Sequence, residues 1–402
     1  MQKGIRLFRI ADIDIHLDWS LLIIFFLVSA SLGAGLFPSW HPDWSVAQSW
    51  LTAIAAAILF LASVLVHELS HALVGRAHGM NIPRITLFIF GGMAHLEDEP
   101  RTWRVEFWMA IVGPVTSLLL GLLFLWAGSI AAGGLDLQAE DPEEILSRLG
   151  PLATLLLWLG PVNIILAAFN LVPGFPLDGG RVMRAILWGV TDDLRKATRW
   201  ASNAGRAFAW FLIACGISMV FGVQLPIFGT GLVSGLWLTL IGWFLHNAAV
   251  MSYRQLLIER SLKGVSVADL MLRDVQTVTP DLTIREFVDN CVMAHQQRAW
   301  PVIANGTLAG LVCLEDVRRR PREEWATTAL RQILTPVAKL ATVQPGDDAI
   351  QAFKLISQRG VNQLPVIDDG HLHGLLRRED ILRWLSLYGE LPGAEGQLQR
   401  PV

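Results

Sequence analysis

The chain has 402 residues, of which 53% are hydrophobic and only 17% charged, too apolar for a water-soluble enzyme of this length. A net charge of −3, with no basic stripe interleaved with aromatics, argues against nucleic acid as a partner. Cys215, Cys291 and Cys313 stand far apart without a CxxC pair, which fits reduced packing thiols and excludes a disulfide framework or a sulfur-rich zinc site.

The apolar residues gather between Leu17 and Tyr253, and charges return at ordinary density from Leu262 onward. Six runs approach the roughly 20 residues that cross a bilayer. They cover residues 18–37, 48–72, 105–131, 152–172, 206–224 and 229–249. The expectation is a mainly α-helical polytopic membrane domain over residues 1–255, a soluble domain over 256–390 and a flexible tail over 391–402. The first run follows Asp12, Asp14 and Asp18 and lacks a small-residue cleavage pattern, so it reads as a span and not a signal peptide. With the N-terminus inside, the inner segments hold Lys3, Arg6 and Arg9, then Arg76, Arg84, Arg101 and Arg104, then Arg181, Arg184, Arg195, Lys196, Arg199 and Arg206. The outer loops hold Arg148 alone, beside the acidic Asp136, Glu140, Asp141, Glu143 and Glu144. This positive-inside bias places both termini in the cytoplasm.

The second run contains "VLVHELSHALVG", residues 64–75. An ionisable side chain at membrane depth costs roughly 3 kcal/mol, so it is seldom there without a task. His67 and His71 are four residues apart, which on a helix puts both imidazoles on one face, a turn apart, as a shared zinc requires. Glu68 between them is the base of an HExxH pattern, the group that takes a proton from water activated by the metal. His78 lies seven residues on, beyond the helix, and reads as an interfacial residue.

After it, "IPRITLFIFGGMAHLE", residues 82–97, alternates weakly around a turn at Gly91 and Gly92. It is expected to form a short β-hairpin at the membrane surface whose edge pairs with an unwound substrate. His95 in this stretch is left unassigned. In the third run Gly113, Pro114, Thr116 and Ser117 read as a close-packing surface beside the active-site helices. A zinc that keeps an open position needs a third protein ligand. "FNLVPGFPLDGGRV", residues 169–182, supplies Asp178 just past the fourth run, which descends in the same direction as the second. Pro173, Pro176, Gly179 and Gly180 break the helix there, and irregular backbone at that depth needs burial or a wet cavity. Asn163 reads as a packing residue.

The tail repeats itself. "PVIANGTLAGLVCLEDV" (301–317) aligns with "PVIDDGHLHGLLRREDI" (365–381) at nine of seventeen positions. Each copy follows a "VTPD" or "VQPG" turn and a helical pattern, so a β-α-β-β-α unit occurs twice, over about 265–319 and 328–386.

HELSH combined with Asn170, Pro173 and the LDGG of 177–180 resembles the site-2 protease family of intramembrane zinc metalloproteases, as do "IDIHLDWSLL", "GGMAH" and "GPVTS". The resemblance covers residues 8–250. It implies that His67, His71 and Asp178 bind one Zn2+, that Glu68 is the catalytic base, and that Asn170 contacts substrate backbone or the developing oxyanion. A helix–helix hydrogen bond is the competing role for Asn170. The tail resembles a tandem CBS pair, which implies an adenosine nucleotide such as ATP, with Asp316 and Asp380 on its ribose. Cys313 and Arg377 stand where that family has serine or threonine, so two readings stay open, a nucleotide sensor and a ligand-free dimerisation module.

The resulting expectation is an intramembrane zinc endopeptidase of a prokaryotic plasma membrane that cuts single-span, membrane-anchored regulatory proteins in or near the lipid bilayer. Its fold is a six-span helical domain with a membrane-associated β-hairpin, followed by an α/β tandem CBS domain, with homodimerisation through the CBS modules. The alternative is a CBS-regulated metal transporter or channel. It is weaker because transport needs no base beside two metal ligands.

Overall fold

The computed structural model describes residues 4–89, 91–95, 100–133, 146–225, 229–294 and 297–388. The acidic outer loop with Asp136, Glu140, Asp141, Glu143 and Glu144, and the tail 391–402, lie outside the described residues. The chain forms two compact units, Gln2–Tyr253 and Arg254–Val402.

The first unit opens with strands β1 (Gly4–Ile10) and β2 (Ile13–Asp18), then the helical span α1 (Leu21–Trp40) and α2 (Val46–Ala77). Strands β3 (Arg84–Phe88) and β4 (Gly91–His95) lead to α3 (Trp103–Ala131) and α4 (Pro151–Asn170). Helices α5 (Asp178–Thr191), α6 (Leu194–Val220) and α7 (Leu232–Leu262) complete it, the division between the units falling inside α7. Six of these helices, all but α5, are long and apolar enough to cross a membrane.

Apolarity locates the spans but not the helix ends. Helix α6 begins twelve residues before the expected start at 206, because polar residues 194–205 still favour helix and Asp193 caps them, accepting from the Lys196 amide at 3.0 Å. Helix α7 likewise runs past 249 to Leu262. Helix α5 is amphipathic and, at 14 residues, too short to cross a bilayer.

The expected hairpin is part of a four-stranded sheet ordered β1-β2-β3-β4. Strand β2 runs parallel to β3, whereas β1/β2 and β3/β4 are antiparallel. The hairpin turn precedes the glycines, since Phe88 pairs with Gly91 and Leu87 with Gly92. Ile13, Ile15, Ile85 and Leu87 point from the sheet into a core with Val64, Ala72 and Met109 of α2 and α3. Burial of that one face docks the sheet on the helix that carries HExxH, and leaves β4 as an edge strand. Helices α3 and α4 touch through Gly121 and Gly160, where a Cβ on Gly121 would meet the Gly160 carbonyl at 2.8 Å.

In the second unit, β5 (Ala299–Ala304) and β6 (Thr307–Cys313) form a hairpin followed by α8 (Leu314–Arg318), and β7 (Thr335–Pro336) joins β6. The second copy has α9 (Ala349–Arg359), the hairpin β8 (Gln363–Asp368) and β9 (His371–Arg377), and α10 (Arg378–Tyr388). Both hairpins turn on residues with positive φ, Asn305-Gly306 and Asp369-Gly370, as two-residue loops require. The first strand of each expected unit is reduced to a single parallel bridge, Val278 to Val302 and Val343 to Val366. Pro280 and Pro345 follow two residues later and lack the amide needed to extend the pairing.

Candidate metal centre

Helix α2 carries His67 and His71, 3% and 5% exposed, on the face turned to α3 and α5. Asp178 is the first residue of α5. Its Oδ2 lies 3.1 Å from Nε2 of His67 and 3.1 Å from Nε2 of His71, and the two Nε2 atoms are 3.2 Å apart. These three residues are the group of potential metal ligands found among the described residues.

The chemistry of the donor set decides what belongs between them. The Met109 carbonyl can only accept, so His71 Nδ1 donates its hydrogen there. Neutral His71 then presents a bare Nε2 lone pair toward a second imidazole nitrogen and a carboxylate oxygen. The His71 lone pair and the Asp178 oxygen are converging acceptors and repel unless a proton or a cation stands among the three groups. Ligand atoms around a tetrahedral zinc, with bonds of about 2.0–2.1 Å, stand about 3.3 Å apart, close to the separations here. The residues fit zinc. His67 Nδ1 is held by the Ser117 hydroxyl at 2.9 Å, so both imidazoles are oriented from behind by α3.

Two glycines let neighbouring elements approach. A Cβ on Gly113 of α3 would lie 2.1 Å from His71 Nε2 and 2.8 Å from His67 Nε2. A Cβ on Gly92 of β4 would lie 2.2 Å from Cγ of Glu68, so the edge strand passes directly over that side chain. The Glu68 side chain makes no hydrogen bond among the described residues, and the residue is half-buried.

The segment before Asp178 is clamped by backbone contact. A Cβ on Gly179 would meet the Leu171 carbonyl at 2.3 Å, and one on Gly205 of α6 would meet the Phe175 carbonyl at 1.9 Å. Behind it, Arg184 of α5 pairs with fully buried Glu106 of α3 and covers the Phe175 ring at 5.2 Å. The pair ties the ligand-bearing helix to the helix that orients both imidazoles. The sequence alone does not point to Glu106, Arg184 or Met109. A carboxylate and an arginine spaced 78 residues apart carry no local pattern, and a backbone carbonyl has no sequence signature at all.

Other singled-out residues do not belong to the ligand group found among the described residues. Asn170 ends α4, and its side chain makes no hydrogen bond among the described residues. Asn163 is buried and donates to the Leu159 carbonyl, which agrees with a packing role. His78 caps α2 and bonds the Val74 carbonyl. His95 ends β4 opposite Arg84, and its side chain lies outside the described residues.

In the second unit, Asp316 accepts from the Cys313 amide at 2.8 Å as an N-terminal cap of α8. Asp380 is held by Arg377 through two hydrogen bonds, 2.7 Å from Nε and 2.6 Å from Nη2. Burial, with Asp316 and Glu315 nearby, pushes the Cys313 thiol up to about 11, so an uncharged SH occupies that position.

A peptidase family M50 model matches residues 55–139 and 137–212, and a CBS domain model matches 267–323 and 330–387. The zinc metalloprotease Rip3 of Mycobacterium tuberculosis is 32% identical over 391 residues, covering 96% of this chain and 94% of the relative. The zinc metalloprotease sll0528 of Synechocystis is 31% identical over 389 residues, 96% of each chain. Among solved structures, the site-2 protease from Methanocaldococcus jannaschii is similar with a TM-score of 0.42 and 26% identity, covering 62% of this chain and 95% of that one.

Proposed function

The chain belongs to peptidase family M50, an integral membrane zinc metalloprotease with a tandem CBS pair, and from that premise we propose that it cuts membrane-anchored regulatory proteins within or near the bilayer. In this reading His67, His71 and Asp178 hold the zinc. The observation that carries it is the meeting of two imidazole nitrogens and one carboxylate oxygen within 3.2 Å of one another, beside a glutamate whose side chain has no hydrogen-bond partner among the described residues.

When bound, the metal supplies Lewis acidity that polarises the scissile carbonyl and acidifies water. Glu68 accepts a proton from the attacking water as the new C–O bond forms, and delivers it to the departing amine as the C–N bond breaks. Ser117 and the Met109 carbonyl keep the imidazole rings fixed throughout. Asn170 is proposed to contact the substrate backbone. The edge of β4 is proposed to take the substrate as an added strand, because a peptide bond buried in a helix is closed to attack. Both termini are proposed to be cytoplasmic, by the positive-inside distribution. The CBS pair is proposed as a regulatory and dimerising module that binds an adenosine nucleotide; for its ribose to reach Asp316 or Asp380, the Cys313 amide would have to release Asp316 or Arg377 to release Asp380.

Reconstituted protein mixed with single-span substrates tests this reading. Cleavage is expected, is lost on chelation and returns with zinc, while no zinc crosses the vesicle wall. Along β4 only alternate residues hydrogen-bond into β3, so Met93→Pro or Ala94→Pro is expected to cut cleavage at least about tenfold. Zinc flux without proteolysis would favour the transporter reading instead. Unchanged cleavage by both proline variants would remove the strand-addition step.

A further inference from the structure

The second unit holds a cleft of about 170 Å³ lined by Arg298, Arg377 and Arg378 together with the acidic Glu379 and the apolar Leu382, and an adjoining cavity adds Arg383 beside Val292 and Leu314. One of its cations is already used. Arg377 is neutralised by Asp380 and by Glu379, the latter at 2.5 Å. Arg298, Arg378 and Arg383 make no ion pair among the described residues, and Arg378 Nε is buried without a hydrogen-bond partner. Such a donor costs free energy until something accepts from it. Helix α10 begins at Arg378 itself and runs eleven residues, so its positive end faces the same cleft.

The linings offer a base apolar contact from Val292, Leu314 and Leu382, but no stacking platform and no free carboxylate for a ribose. No aromatic side chain lines either cavity among the described residues, and neither Asp316 nor Asp380 is among the lining residues. Both carboxylates that would take a ribose are engaged by their own chain, Asp316 as a helix cap and Asp380 by Arg377.

We propose that this cleft is a polyphosphate site: Arg298, Arg378 and Arg383 grip a chain of phosphoryl groups, whether it comes free or attached to a nucleoside, and the nucleoside adds little. The inference rests on the reading of the CBS pair as a ligand-binding module, but it changes what the module recognises. Ribose and base are not the recognised parts; the phosphates are.

The test is calorimetric titration of the full chain in detergent, without divalent cations, using ATP, inorganic tripolyphosphate and adenosine in separate arms. Tripolyphosphate is expected to bind within about threefold of ATP, and adenosine not to bind. Removing any one of the three guanidinium groups should weaken tripolyphosphate binding about tenfold or more, the usual worth of a charge-assisted hydrogen bond. Arg378→Gln is the most direct variant. Arg298→Gln combined with Arg383→Gln changes only exposed side chains and keeps the test valid if Arg378→Gln fails to fold. ATP binding without tripolyphosphate binding overturns the proposal while leaving the nucleotide reading intact. Binding by neither removes both. Tripolyphosphate binding that the double variant leaves unchanged would put the anion elsewhere and overturn the site.

Discussion

Glu68→Gln is expected to lower the cleavage rate by about 10²–10⁴-fold, the usual contribution of a positioned general base, with zinc content and folding unchanged. The amide keeps the size and shape of the carboxylate, and the Glu68 side chain has no hydrogen bond or ion pair among the described residues for the change to break. What glutamine cannot do is accept the proton of the attacking water. The measurement is cleavage of a single-span substrate by matched wild-type and variant preparations with equal metal. A variant with wild-type activity would take Glu68 out of the chemistry.

The second large effect comes from a residue that touches no substrate. Gly113→Ala inserts a methyl group 2.1 Å from His71 Nε2 and 2.8 Å from His67 Nε2, positions no side-chain carbon can share with those rings. Alanine favours helix over glycine by up to about 1 kcal/mol, so α3 should hold its secondary structure and the loss should fall on the site. Outer-shell disturbances alone commonly cost about 10–100-fold in metal affinity. Displacing two ligands is expected to cost at least about 100-fold. Chelator competition measures it, with circular dichroism as the check on folding. Wild-type zinc affinity in Gly113→Ala would mean that the rings stand elsewhere.

Legibility in the sequence follows the range of the interaction. His67, Glu68 and His71 share one helical turn, so local spacing exposes them; Asp178, 107 residues beyond His71, is reached only through its broken run at the matching membrane depth. Gly113 and Ser117 stand out as small residues in an apolar span, although nothing local says that one gives room to the imidazoles and the other holds one of them. The Glu106–Arg184 pair stays hidden because its partners meet only through the packing of α3 on α5. Strands β1 and β2 escape notice for a different reason. "IDIHLD" alternates as a strand should, but it directly precedes an apolar run and blends into the approach to the first span. In the tail, the repeated hairpins are legible from Asn305-Gly306 and Asp369-Gly370. The engagement of Asp380 by Arg377 is not, since serine or threonine at that place would leave the carboxylate open.

The most direct measurement is the metal content and zinc-edge absorption spectrum of the purified full-length chain, compared with Asp178→Asn. One zinc per chain is expected, bound by two imidazoles and at least one oxygen, with coordination and affinity both altered in the variant. A chain that takes up no zinc, or one whose zinc environment is the same with asparagine in place of Asp178, would contradict a centre built from His67, His71 and Asp178.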